Sequence, residues 1–172
     1  MRIFVKIFIF RLTFRRKCNT IYYIVLFERI EIFMAVKISR REAREYLVGL
    51  IYETEFRTDE EKEVIFESSS EVREIPKDKF IKETYFSVCE KQSEIDELIA
   101  KHSVGWKTER LTRVSRAVLR LAVYELAFAD DIPSRVSINE AIELTKKYDD
   151  EKARAFVNGI LNAVKDDVGE KK

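Results

Sequence analysis

The sequence predicts an all-α fold, and three observations carry that expectation. Glycine and proline are scarce, four and two in 172 residues, which leaves little turn punctuation for an all-β chain. From Met34 onward, apolar residues recur at spacings of three and four, the period of a helix with one buried face. Serine or threonine stands three residues before glutamate ahead of several apolar runs, the pattern of a helix-start capping box. No period-2 strand pattern and no internal repeat follows Met34. An apolar content of 46% is enough to fill a core.

Taken in order, the elements number about seven. "SRREAREYLVGLIYETEF" opens with Ser39 and Glu42 as a box, with Ala43, Tyr46, Leu47, Leu50, Ile51 and Thr54 on one face. Thr58 and Glu61 form a second box before "KEVIFES". Ile75-Pro76 marks a break. Phe80, Ile81, Thr84, Val88, Ile95, Leu98 and Ile99 then keep a helical rhythm to about Lys101, interrupted near Gln92-Ser93. "SVGW" reads as a linker, with Trp106 packed at a helix junction. The most apolar helix follows, with Leu111, Val114, Val118, Leu121, Ala122 and Glu125 in phase, and it reads as the central one. "DDIPSR" stops it. Ser137 and Glu140 make a third box, and a last helix runs from "DDE" to about Val168.

That last helix carries "ARAFVNGILNAV". Asn-Gly between apolar residues is a hairpin signal, yet Phe156, Ile160 and Val164 recur every four residues as a helical stripe. Ala155, Gly159 and Ala163 line up beside that stripe. Gly costs about 1 kcal/mol of helix propensity relative to Ala, so the ridge predicts a neighbouring backbone packed close against Gly159. Asn158 then caps or bridges a neighbouring helix, with direct ligand contact as the alternative.

Charge divides the chain. Residues 1–33 hold seven Lys/Arg against two Glu, and the remainder carries 25 basic and 29 acidic residues. The body is therefore no globally basic nucleic-acid binder, and any such binding must come from a local patch. Residues 1–33 also hold eight of the nineteen Phe and Tyr. Lys6, Arg11 and Arg15-Arg16-Lys17 break their apolar runs below the roughly 20 residues of a membrane span, and the signal-peptide pattern is poor, with no clean apolar run ending in a small-residue cleavage site. The segment reads as an upstream mis-translated or disordered extension, with translation beginning at Met34. A membrane-surface anchor and a genuine extra element are the alternatives. The working domain is residues 34–172. Cys18 and Cys89 lack metal-type or redox-type spacing, which points to a reducing cytoplasm and two free thiols.

A candidate RNA site lies on the first helix. Arg40 and Arg44 sit one turn apart, Lys37 precedes them, and Arg41, Arg44, Val48 and Tyr52 share one stripe. Guanidinium forks suit phosphates, and an aromatic ring at the stripe's end suits an unstacked base. A solvated charged face is the competing reading, because Glu42 and Glu45 are interleaved. Before the last helix, Lys152 and Arg154 suit phosphates, while Phe156 fits a core position as well as a base platform. Lys146 and Lys147 read as solvated. His102, the sole histidine, has no carboxylate or cysteine at catalytic spacing and reads as a surface residue. No Gly-rich phosphate loop, metal-spaced cluster or nucleophile motif occurs, so the sequence argues against an enzyme and implies no cofactor.

"RREAREYLVGLIY", "RAVLRLAVYEL", "INEAIELTKKY" and "FVNGILNAV" occur in this order, and over roughly residues 37–166 the chain resembles the NusB family of transcription antitermination factors. The resemblance implies two small helical subdomains, an arginine-rich first helix, and binding of boxA in nascent RNA. It also implies a heterodimer with NusE, a small-subunit ribosomal protein, within the antitermination complex with RNA polymerase on ribosomal RNA operons. It strengthens the RNA reading of Arg41 and Arg44, and of Tyr52. Two departures stand out. Asp149 replaces the family's usual Gly after "KKY", where a left-handed cap would cost Asp more. Ser115 replaces an acidic residue before "RA". Two rival readings remain. One is an RNA-binding domain like that of certain ribosomal RNA cytosine methyltransferases, and the other is a helical protein-contact module, as a homodimer.

Overall fold

A computed structural model describes residues 38–103 and 111–171. The segment 1–33, Met34, Lys37, Cys18, Trp106 and most of the "SVGW" linker lie outside the described residues. Seven helices and no strand occur among those described. They are α1 (Arg40–Thr54), α2 (Lys62–Val72), α3 (Lys79–Glu90), α4 (Gln92–His102), α5 (Arg113–Phe128), α6 (Ser134–Tyr148) and α7 (Glu151–Val168).

Local chemistry sets most boundaries. Ser39 Oγ accepts from the Glu42 N–H at 3.1 Å, and Glu42 Oε2 accepts from the Ser39 N–H at 2.9 Å, so the expected capping box closes. Asp78 caps α3 by accepting from the Phe80 and Ile81 N–H groups. Thr112 and Asp150 cap α5 and α7 in the same way. The break at Ile75-Pro76 and the interruption before Gln92 both occur, the latter at Lys91.

Two expected boxes do not form. Glu61 is the N-cap of α2 and no side chain caps that helix. Arg57 shapes the preceding loop instead, holding Glu60, Glu53 and Ser68 at 2.6–2.9 Å. α6 starts at Ser134, directly after Pro133, so Ser137 falls inside the helix and is buried. Proline fixes a helix-compatible φ and lacks the N–H that a helix start leaves unpaired, which moves the start upstream of the Ser137 box.

The helices form two groups. α1 packs on α2 and α3, while α5, α6 and α7 pack on one another with α4 against α5 and α7. The α1–α5 contact joins the groups. α5 is central as its sequence predicts, with ten of its sixteen residues buried. Leu47, Leu50, Ile81, Tyr85, Ile95, Leu119, Leu126, Ile160 and Leu161 are fully buried.

The ridge on α7 does not pack. Gly159 is exposed, and a Cβ there would meet nothing within 4 Å among the described residues. Ala155 is exposed as well. Asn158 bridges no other helix among the described residues; its side-chain and backbone oxygens accept from Asn162 on the same helix. α7 is buried through Phe156, Val157, Ile160, Leu161 and Val164 alone.

Candidate nucleic-acid interface

The capping box fixes the start of α1, so Arg40 and Arg41 occupy its first turn in the open. The Arg40 guanidinium lies 4.1 Å from the centroid of the Phe80 ring, which braces it without neutralising it. Arg41 has a side chain 57% exposed, and its one ion pair among the described residues is with Glu143, itself half-exposed, at 3.7 Å. A pair so open and long contributes little and yields readily to a phosphate.

Arg44 is not part of this surface. It is 5% exposed, and its Nε and Nη2 donate to Glu125 Oε1 and Oε2 at 2.9 and 3.3 Å. A buried carboxylate must be paired, and Arg44 is the cation that pairs Glu125. Val48 is buried too. The expected stripe is therefore turned by one position: exposed Arg41 and half-buried Glu45, Gly49 and Tyr52 share the outer face of α1.

That face continues into a cavity of about 480 Å³. Tyr46, Tyr52 and Tyr148 line it, with Arg73, Glu42 and Glu45 at its walls. Tyr52 is half-buried, with its ring centroid 5.0 Å from that of Phe56. Gly49 has a spatial reason. A Cβ there would come within 2.6 Å of Arg73 Nη1, so its absence lets Arg73 cross α1 and reach Glu53 at 2.6 Å. Tyr46, Tyr148 and Arg73 escape sequence reasoning, because Tyr148 and Arg73 come from distant chain segments and Tyr46 reads as a core position.

Carboxylates restrain the same surface. Lys147 Nζ donates to Glu45 at 2.8 Å, so this lysine is paired as well as solvated. That bond raises the lysine's pKa above its ordinary value. The Glu42 carboxyl is held below its usual range by the Ser39 backbone and hydroxyl. Lys146 and Lys152 are exposed. Arg154 is half-buried and paired with Glu151. Phe156 is buried in the core, which removes it as a base platform. His102 is half-buried rather than on the open surface, and its Nε2 lies 3.1 Å from Asp167 Oδ2, which Lys101 also holds at 2.7 Å.

The two departures from the family pattern meet. Asp149 adopts an extended backbone, φ −142°, so no left-handed strain arises. Its Oδ2 accepts from the hydroxyls of Thr112 and Ser115, tying the start of α5 to the α6–α7 junction. Burial opposes the Asp149 charge, yet these hydroxyls hold its pKa below the ordinary value.

Fold and face together describe a small helical protein with arginines and tyrosines on one surface. The model of the NusB family matches residues 41–166. The transcription antitermination protein NusB of Bacillus subtilis is 42% identical over 130 residues, covering 76% of this chain and 97% of that protein. A solved structure of T. maritima NusB is 41% identical with a TM-score of 0.65, covering 75% of this chain and 92% of that one. A crystal structure of antitermination factors NusB and NusE in complex with dsRNA contains a chain 31% identical, TM-score 0.66, covering 74% of this chain and 96% of that one. The chain belongs to the NusB family.

Proposed function

We propose that this protein is a transcription antitermination factor that binds boxA RNA together with NusE, within the antitermination complex with RNA polymerase on ribosomal RNA operons. It acts by binding rather than by catalysis, in the cytoplasm, and its working domain is residues 34–172. The observation that carries the reading is a family match in which Arg40 and Arg41 stand open beside a tyrosine-lined cavity. The RNA-contact set is Arg40, Arg41, Tyr52 and Lys152, with Arg154 once released from Glu151, and with Lys37, which precedes the described helix. Arg44 and Phe156 are excluded by their burial. The relatives favour this reading over the methyltransferase-domain one.

The test is a titration of boxA RNA across salt concentrations, with and without NusE. Each phosphate neutralised on a single strand contributes about −0.7 to the slope of log K against log salt. Arg40→Ala with Arg41→Ala should therefore flatten the slope by about 1.4 and weaken binding to every sequence alike. Tyr52→Ala should cost roughly 1–3 kcal/mol of binding and leave the slope unchanged. Wild-type affinity and slope in the double arginine variant would overturn the site.

A further inference from the structure

A second cavity, of about 360 Å³ and rich in basic side chains, opens at the other end of α1, where the C-terminal residues of that helix meet α2, α4 and α5. Lys62, Arg113, Arg116 and Arg120 line it, together with one carboxylate, Glu55. We propose that this cavity is a second phosphate-binding site, separate from the Arg40/Arg41 surface, formed by Lys62, Arg113 and Arg116 above the fixed Arg120.

The carboxylates nearby are already committed. Arg120 is 93% buried, being 7% exposed. Its Nη1 donates to Glu55 at 2.8 Å, and its Nε and Nη2 grip both oxygens of Asp96 at 2.8 Å. Glu55 Oε2 lies 3.8 Å from Arg116. Arg120 is thus saturated by Glu55 and Asp96, Arg116 shares Glu55 with it, and only Lys62 and Arg113 are left over. Arg113 and Lys62 have no ion-pair partner among the described residues. The Arg113 guanidinium lies 4.3 Å from the Phe56 ring centroid, a contact that holds its fork of donors without neutralising it. The unpaired Lys62 and Arg113 beside a fixed arginine suit a tetrahedral oxyanion. Nothing in this arrangement selects a base, so the ligand is read as phosphate alone.

The phosphate belongs either to a free oligophosphate or to the backbone of bound RNA, and the two sources give different signatures. The full-length protein and its Lys62→Ala/Arg113→Ala variant would be titrated calorimetrically with inorganic pyrophosphate and, separately, with a single-stranded RNA 12-mer at several salt concentrations. A free-phosphate site predicts pyrophosphate binding that weakens at least about tenfold in this variant; Arg40→Ala/Arg41→Ala should leave that binding untouched. An RNA-backbone site predicts little pyrophosphate binding, with the salt slope for the 12-mer flattened by about 1.4 in the Lys62/Arg113 variant. The RNA arm rests on the proposed RNA-binding function, whereas the pyrophosphate arm does not. Should the alanine pair lower the melting temperature, Lys62→Gln/Arg113→Gln keeps the packing and repeats the comparison. If neither probe separates the variants from wild type, the proposal is wrong, while the Arg40/Arg41 result still decides the first site on its own.

Discussion

Arg44 and Glu125 stand 81 residues apart in sequence and meet in the interior, joining the two helical groups where α1 crosses α5. Half of this pair is legible beforehand. Glu125 falls in phase with Val118, Leu121 and Ala122, and a charge on a core stripe calls for a buried counter-charge. Arg44 is the harder half. On a wheel it sits at the flank of the Leu47/Ile51 face, and one helix alone does not reveal which flank its neighbour covers. The same geometry decides how the pair responds to mutation. Arg44→Ala would leave Glu125 buried and unpaired, at a cost of about 3–5 kcal/mol. Arg44→Met combined with Glu125→Leu replaces the pair with apolar volume and should return stability to within about 1 kcal/mol of wild type, or above it. Urea unfolding of the single and double variants measures both. A single-variant cost below about 1 kcal/mol would show that the pair does not hold the two groups together.

Helix periodicity places α1, α3, α4, α5 and α7, because each apolar stripe must be buried somewhere; α2 and α6 are placed by capping boxes that do not form. Start signals are less decisive, since a box competes with whatever lies upstream: Pro133 overrides Ser137, and the Arg57–Glu60 loop displaces Thr58. Small residues mislead in another way. A ridge of Ala155, Gly159 and Ala163 permits close packing but does not compel it, and here the stripe beside it supplies all the burial. Gly159 then carries the full helix-propensity cost with no packing return. Gly159→Ala should raise stability by up to about 1 kcal/mol, since the added Cβ meets open space. Thermal denaturation reads this directly. A drop in melting temperature would mean that something occupies that face in solution.

Over the whole molecule, the candidate site is partly legible for an electrostatic reason. A body carrying 25 basic and 29 acidic residues offers RNA no long-range attraction, so any site must be local, and the first turn of α1 is the natural place to look. The cavities were not legible, because their walls combine residues from α1 with Arg73, Tyr148 or α5, and only tertiary packing assembles those. Charge also bears on the proposed working domain. Residues 1–33 carry seven basic against two acidic residues and nearly half of the Phe and Tyr, and composition changes at once at Met34. A cationic, aromatic segment of that kind would itself attract RNA without regard to sequence, obscuring the selectivity that a local site confers. A working protein starting at Met34 avoids this. Mass spectrometry of the protein from its native source should therefore find an N-terminus at Met34 or Ala35. Abundant peptides from residues 3–30 would show instead that the segment is made and retained, and RNA affinity would then have to be apportioned between it and α1.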